Sequence, residues 1–461
     1  MSDRQLRARI VRHARSGSLD RAEALLADYA ASYPENDPAV ALLAGRLLKE
    51  RAKRAPPEKA ATLFAEASSL YEAAASADQL SYPLINAATL ALLAGDAERC
   101  ETLARRVVVT LEALPDEAET PYWKHATRAE ALLLLGRDKQ ARDALEAALT
   151  EAPEAWEDHA VTIGQFALIC TARNIPTDWL DSLRPPRSLH FAGIMNPDLE
   201  GGALKARIAE LLERERIGFG FGALAAGSDI LVADCLRERG ARLHVVLPCP
   251  ADAFRMRSVA PAGDEWLQRF DRLIDAATSV EELQGSALPD PPAVDLAEQV
   301  AQGMAIQNAR VLQSEARSLR IRDAGRDSSR DDAPGMHVIH ASSRGQAAPS
   351  VPREGTLVCL VALGDDAPVS LHESPAAALA EILAAADPGQ PVAADYRYQG
   401  DGSGGAASQL VSAIRDTAEA GQVLLSKPFA MALLAQKPES TVAPFGELRS
   451  AEGVVDLFQL G

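Results

Sequence analysis

Through roughly the first 180 residues, apolar positions recur at three- and four-residue spacing, as in Ala24, Leu25 and Tyr29 and again in Ala141, Leu145, Ala148 and Leu149. This is the period of helices with one buried face. Turn-and-restart signals interrupt the pattern at Gly17-Ser18, Pro56-Pro57, Gly95-Asp96 and Gly136-Arg137, at intervals of 39, 39 and 41 residues. Such a period predicts stacked helical hairpins, each too small to bury its apolar face alone.

The pattern changes after Pro185-Pro186. Ser188–Ala192 reads as a short apolar strand, Leu199–Arg214 as an amphipathic helix, Ile217–Gly222 as a glycine-rich strand and Ser228–Arg239 as a second helix. Leu243–Leu247 is an unbroken apolar run ended by Pro248, as in a parallel strand buried on both faces. Ser318–Asp323 is strand-like. Strands alternating with helices predict an α/β sheet with right-handed crossovers. Residues 326–354 are rich in Ser, Arg, Asp, Pro and Gly and read as a linker. Beyond them, Thr356–Val361 is a strand, Ala376–Ala385 and Ser408–Ala418 are helices, Gly421–Leu425 is a strand and Lys427–Ala435 a short helix, with a final hairpin over Phe445–Arg449 and Val455–Leu460. The expected fold class is therefore multidomain α plus α/β: a helical-hairpin solenoid over 1–182, a Rossmann-like parallel-sheet domain over 185–325, the 326–354 linker, and a small α/β domain over 355–461.

Charge narrows the partners. With 47 Lys+Arg against 65 Asp+Glu the formal charge is −18, which repels phosphate backbones and anionic lipid and argues against general nucleic-acid binding. No stretch is long and apolar enough to span a bilayer, and the charged N-terminus has no signal-peptide core. Five scattered cysteines without CxxC spacing fit reduced thiols. Together these give a cytoplasmic protein that does not act at a membrane.

The segment with chemistry in it is Gly218-Phe-Gly-Phe-Gly222-Ala-Leu-Ala-Ala-Gly227-Ser-Asp229. Glycines between a strand and a helix let the backbone approach a phosphate, and the helix start adds free N–H groups and a partial positive charge. Asp229 stands where it could cap that helix or bond a ribose hydroxyl. The spacing is not GxGxxG, and no Walker lysine follows. The run GALAAGSDILVADCLRERGARLHVVLP resembles the SLOG superfamily, which joins the cytokinin-activating phosphoribohydrolases and the DNA-processing protein A fold and binds nucleotides or nucleotide-derived signals. The resemblance implies a ligand pocket at Gly222, Ala223, Gly227, Ser228 and Asp229, with a second edge at Gly193 and Asn196. The phosphoribohydrolases' PGGxGT loop is absent, and AGRDSSRDDAPG stands where relatives carry a Gly-Gly-Thr turn, so half of the phosphate cradle is missing. Otherwise the glycines serve tight turns in a structural spacer. Trp266 and Phe270, four apart, are expected to pack a helix on the sheet rather than stack a base. His337 and His340 form a metal corner without a third ligand nearby, so an edge or flexible segment is expected.

In the helical region, Tyr82-Pro-Leu-Ile-Asn86-Ala-Ala-Thr89 and Tyr122-Trp-Lys-His-Ala-Thr127-Arg-Ala-Glu130 resemble the tetratricopeptide-repeat sensor domain, also called the TRAFs-binding region, across about 15–180. The repeat interval exceeds the roughly 34 residues of standard tetratricopeptide repeats, so longer helices or loops are expected. Asn86 and Thr89 share a helix face, as do Thr127 and Glu130. They either satisfy buried carbonyls between hairpins or contact a ligand. The C-terminal run Ala407–Ala430 and the final hairpin resemble the closing half of class III nucleotidyl cyclases. The two-metal chemistry of that family needs carboxylates on adjoining strands. Here Val361-Ala-Leu occupies the first position, with Asp365 and Asp366 only beyond Gly364. The family's transition-state Asn and Arg fall on Gln409 and Ala413, Arg415 lies on another helix face, and the central strand pair is deleted. Asp395, Asp401 and the 402–405 glycine loop could still hold a nucleotide. The resemblance implies a degenerate cyclase that pairs as a homo-oligomer.

The functional expectation is a non-catalytic bacterial signalling protein. Its repeats bind a protein partner, and its middle domain senses a nucleotide or second messenger through a population shift between domain arrangements, with no resident cofactor. The alternatives are a phosphoribohydrolase-like enzyme acting at 222–229 and a pure scaffold.

Overall fold

The computed structural model describes residues 3–15, 19–34, 37–75, 80–113, 120–324, 335–342, 355–364, 368–386, 389–400, 404–451 and 453–461. The chain forms two compact units, Met1–Pro185 and Pro186–Gly461.

The first unit is helical. α1 (Asp3–Arg15) and α2 (Leu19–Ala30), α3 (Pro38–Ala52) and α4 (Pro57–Ala73), α5 (Ser81–Leu93) and α6 (Ala97–Ala113), and α7 (Pro121–Leu134) and α8 (Asp138–Glu151) are successive hairpins. α9 (Trp156–Ala172) and a 3-10 turn over Asp178–Leu183 follow. The restart signals at 56, 95 and 136 fall inside hairpins, each just before the second helix, whereas Gly17-Ser18 lies outside the described residues. Helices of 15 and 17 residues in the α3–α4 hairpin account for the long repeat interval. Starts are set locally. The Asp37 carboxylate accepts from the amides of Ala39 and Val40, and Thr120 Oγ1 accepts from Trp123 N, each just before a proline in the first turn. Tyr71, Leu84, Leu90, Leu133, Leu145 and Phe166 are among the residues that form the shared core.

A polar chain crosses these hairpins. Thr89 Oγ1 donates to Glu130 Oε1 at 2.6 Å, Gln165 Nε2 donates to the same oxygen at 3.1 Å, and Lys49 Nζ donates to Asn86 Oδ1 at 3.2 Å. Burial raises the Glu130 pKa and lowers that of Lys49 to about 8, and each group's charge opposes the shift of the other. Asn86 also donates to the Tyr82 carbonyl of its own helix. The expectation that these side chains satisfy carbonyls between hairpins is therefore replaced by side-chain pairing across them. A carboxylate can serve two donors at once, which a helix carbonyl already bonded within its own helix does less readily. Thr127 is half-buried on α7.

The second unit holds two six-stranded sheets. The first contains β1 (Arg187–Ala192), β2 (Ile217–Gly222), β3 (Arg242–Leu247), β4 (Ser279–Glu282), β5 (Ala316–Asp323) and β6 (Met336–Ala341), ordered β4-β3-β2-β1-β5-β6 and parallel throughout. α10 (Ala203–Arg214), α11 (Ser228–Glu238), α12 (Ala251–Phe254), α13 (Asp264–Ala276) and α14 (Pro291–Val311) connect these strands. The second sheet is mixed, ordered β11-β12-β10-β9-β7-β8, from β7 (Gly355–Leu363), β8 (Ser370–His372), β9 (Val392–Gly400), β10 (Val423–Ser426), β11 (Val442–Ser450) and β12 (Gly453–Leu460), with α15 (Pro375–Ala386), α16 (Gly404–Thr417) and α17 (Lys427–Gln436).

The sequence reading placed no strand at β4, β8 or β9, and the structure departs from it further in two places. Within the segment read as a linker, 336–341 is strand β6, paired with β5 from Ser318↔Met336 to Asp323↔Ala341. It forms the sheet's edge, as the alternative for the two histidines had it. Residues three apart in a strand face opposite sides, so His337 and His340 do not converge. His337 Nε2 faces Glu215 at 3.6 Å, while His340 is exposed. The second departure is α14, unforeseen in the pattern, which packs on both sheets. Its start is nevertheless written in the chain as Asp290-Pro-Pro, and the Asp290 carboxylate accepts from Ala293 N.

α14 crosses α17 closely: a Cβ on Gly303 would lie 2.0 Å from the Met431 carbonyl oxygen. Gly303→Ala is expected to force the two helices apart and destabilise the second unit by about 1–3 kcal/mol, the usual cost of overpacking. Urea denaturation of the full chain, read by a probe confined to the second unit, checks it.

Candidate functional site

β1 is the strand at which the order of the first sheet reverses. Ligands of open parallel sheets bind outside the carboxyl ends of strands at such a reversal. A cavity of about 710 Å³ lies there, lined by the ends of β1 and β2, the start of α11, the segment 254–262 and one face of α14.

Its local geometry begins with a seal. The Ser228 amide and hydroxyl both donate to the Ile194 carbonyl, at 3.1 and 2.7 Å. Met195 bridges Gly227, and a Cβ on Gly193 would lie 2.1 Å from Ser228 Oγ. Gly227, at φ +118°, admits no side chain, because a Cβ would meet Ile194 O, Pro197 and the Asn196 amide within 2.9 Å. The loop after β1 thus lies against the first turn of α11. Gly222 is glycine for packing: its Cβ would reach Phe191 O at 2.6 Å and the Phe191 ring at 2.8 Å.

Of the seven residues singled out in the sequence, Gly193, Asn196, Gly222, Ala223 and Asp229 line the cavity. Gly227 and Ser228 are buried beneath the β1 loop and do not. The expected open amide at Ser228 is taken by Ile194.

Two functional candidates escaped the sequence reading. His190 on β1 is 1% exposed, lines the cavity, and has no hydrogen-bond partner on either ring nitrogen. Burial, with Arg320 nearby, lowers its pKa to about 3, so the ring is neutral. It belongs to a cross-strand row, Ser318–His190–Phe221–His244–Ser279, in which Phe221 and His244 stack at 4.6 Å. Glu298 on α14 also lines the cavity and pairs with Arg320 on β5. A histidine inside an otherwise apolar strand was the signal available for the first. The second needed α14 to be recognised.

Asp229 is buried, and its Oδ1 has no partner. Burial lifts its pKa to about 8, and Glu298 adds to the rise, while the Ala225 and Gly193 amides and Arg320 oppose it. The cavity floor is therefore an uncharged imidazole beside a carboxyl group held neutral near pH 7. Trp266, half-buried, packs on the core as expected and carries Arg269 over its ring at 4.4 Å, while Phe270 stacks near Phe254. Arg255 pairs with Asp271 at 2.7 Å and so ties the 254–262 wall to α13.

A second cavity, of about 700 Å³, lies where β4 meets the second sheet, and Asp395 lines it. Its charged groups answer one another: Asp395 pairs with Arg397, and Lys427 with Glu281 at 2.5 Å. The first cavity is the stronger candidate because it alone of the two is lined by buried polar atoms without partners. Asp365, Asp366 and Asp401, with 402–403 of the glycine loop, lie outside the described residues. Gln409 is exposed, Ala413 is half-buried, and Arg415 pairs with Asp416. Among the described residues, no group of three or more His, Cys, Asp or Glu is placed to hold a metal ion, no helix is long and apolar enough to cross a membrane, and the five cysteines are free and buried.

A family model described as Tetratricopeptide Repeats-Sensor matches residues 3–91, from α1 into α5 and well under half of the chain. The description gives that segment a sensing or interaction role. No curated protein matches the chain. Among solved structures, a mutant O-GlcNAc transferase of Thermobaculum terrenum aligns at 14% identity over 74% of this chain and 74% of its own, with a TM-score of 0.21. That score is too low to carry a shared fold.

The Asp229 carboxyl has a stated pH signature. Its folded pKa is raised, so its contribution to stability is fully present below about pH 4 and is lost as pH rises to about 8. His190 runs the opposite way, costing stability as pH falls below its ordinary value near 6.5. Asp229→Asn isolates the first effect: its melting temperature relative to the unaltered chain should climb from pH 5 to about pH 8 and then level off, measured by calorimetry. A constant difference would mean the carboxyl is ionised throughout.

Proposed function

We propose that the chain is a non-catalytic sensor. Its helical repeats bind a protein partner, and its second unit holds a nucleotide-derived ligand in the cavity lined by His190, Ala223, Asp229 and Glu298. One observation carries the reading: at the reversal point of a parallel sheet, a cavity of small-molecule size is lined by buried polar groups that have no partner in the protein. The all-parallel order and the SLOG-like run over the loop and α11 support a Rossmann-like assignment and a nucleotide. The ligand shifts the population between conformers of differing partner affinity. The repeat-sensor match over 3–91 supports the sensing role. The C-terminal sheet is read as a decayed cyclase on the strength of its sequence resemblance, with Gln409 and Ala413 in place of that family's Asn and Arg.

The raised pKa of Asp229 in a cleft favours a second reading, a hydrolase with Asp229 as general acid.

Nucleoside monophosphates at millimolar concentration should raise the melting temperature of the full chain with no base released, whereas release of base from them or from NAD would favour the hydrolase. Gly222→Val is a poor control, since it breaks packing on Phe191. Val294→Trp fills the cavity from an exposed helix position and should cancel the shift while leaving the unliganded melting temperature unchanged. Persistence of the shift would place the ligand elsewhere. Manganese with ATP or GTP should give no cyclic product by chromatography.

A further inference from the structure

We propose that the cavity takes its ligand ring-first: an uncharged heteroaromatic ring of the nucleobase class lies against His190 and Asp229, and the ligand's anionic group stays at the mouth beside Arg257. The proposal rests on the nucleotide-derived reading above and reverses the orientation that the glycine loop suggests by itself.

Three features of the site carry it. The helix start that would receive a phosphate is engaged, because the Ser228 amide and hydroxyl both bond Ile194 O and Ser228 is fully buried. The floor has no cation to spare. Arg320, the cation that acts on both His190 and Asp229, is paired to Glu298, and two carboxyl groups, Asp229 and Glu298, line the same cavity. A phosphate desolvated there would find no free cation among the described residues to balance it, because the Arg320 charge is already answered by Glu298. What the floor does offer suits the edge of a neutral ring. A neutral imidazole presents one N–H donor and one nitrogen acceptor, both unpartnered in His190, and Asp229 adds an unpartnered oxygen. Phe254, Val294, Ala297 and Ala301 supply apolar walls for a ring face.

The mouth has the opposite character. Gly193, Asn196, Met256 and Arg257 are exposed there. Arg257 presents the planar donor fork that suits a phosphate. It sits in a five-residue π-helical segment, Arg255–Val259, a local distortion that often accompanies functional sites. That segment is held by the Arg255–Asp271 pair and by Ala226 N donating to Ser258 O at 3.0 Å.

The test is ligand-observed saturation-transfer NMR on the full chain with adenosine, AMP, guanosine, GMP, ribose 5-phosphate and inorganic phosphate. At least one nucleoside should bind, its base protons should take the strongest saturation, and ribose 5-phosphate and phosphate should not bind. Arg257→Ala, at an exposed position, should weaken the monophosphate by about tenfold, as expected for one lost charge-assisted contact, and leave the nucleoside unchanged. His190→Gln should abolish nucleoside binding; if that variant does not fold, the saturation map of the unaltered chain still decides. Ribose 5-phosphate binding as tightly as the monophosphate, or ribose protons saturating more strongly than base protons, would overturn the orientation while leaving the nucleotide reading standing. Absence of binding by every nucleoside and nucleotide would remove that reading, and the proposal with it.

Discussion

The second unit is organised around one carbonyl. Ile194 O accepts from both the amide and the hydroxyl of Ser228, which fixes the loop after β1 against the first turn of α11. A helix start always leaves amides in need of acceptors. Here the protein supplies one itself, in the position a ligand's phosphate takes in many sheets of this kind. Everything around the contact is shaped to permit it: Gly193 clears the Ser228 hydroxyl, and Gly227 clears the loop backbone. The consequence is electrostatic. With the amide engaged, the adjoining cavity has an uncharged floor, and Asp229 keeps its proton near neutrality because burial outweighs the two amides that would favour its charge.

α14 gives the cavity its other wall and ties the two sheets into one unit. It packs on the parallel sheet with Asn308 Nδ2 donating to Ser188 Oγ at 2.9 Å, and on α17 beside the mixed sheet with Gln299 Oε1 accepting from Gln436 Nε2 at 2.6 Å. The close passage at Gly303 leaves no slack between α14 and α17. Glu298 reaches the cavity from this helix.

In the helical unit the same economy of polar groups is visible. Glu130 is the acceptor for two neighbouring helices, and Lys49 is held by Asn86. Like-for-like satisfaction of buried polar groups fixes the register of hairpins whose apolar contacts, dominated by Ala and Leu, are individually permissive. No such register is needed in the surface ion pairs, which contribute little.

The sequence by itself determined the elements and their order wherever the cause is local. Helical period and restart residues marked the hairpins, and the restarts proved to lie within them. The strand runs at 188–192 and 243–247, the helices at 228, 376, 408 and 427, and the final hairpin all follow from periodicity, turn residues and β-branched runs acting over a few positions. Five of the seven chosen residues do line one cavity, because a glycine-bearing strand end and the following helix start are neighbours along the chain. What only the tertiary structure decided is what becomes of their hydrogen bonds. That Ile194 takes the Ser228 amide, that His190 stands unpartnered beneath α14, and that 336–341 adds a sixth strand beside β5 all depend on backbones brought together from distant parts of the chain. Local spacing has no access to such pairings, since the energy of a buried polar group is set by whichever partner the completed fold places against it.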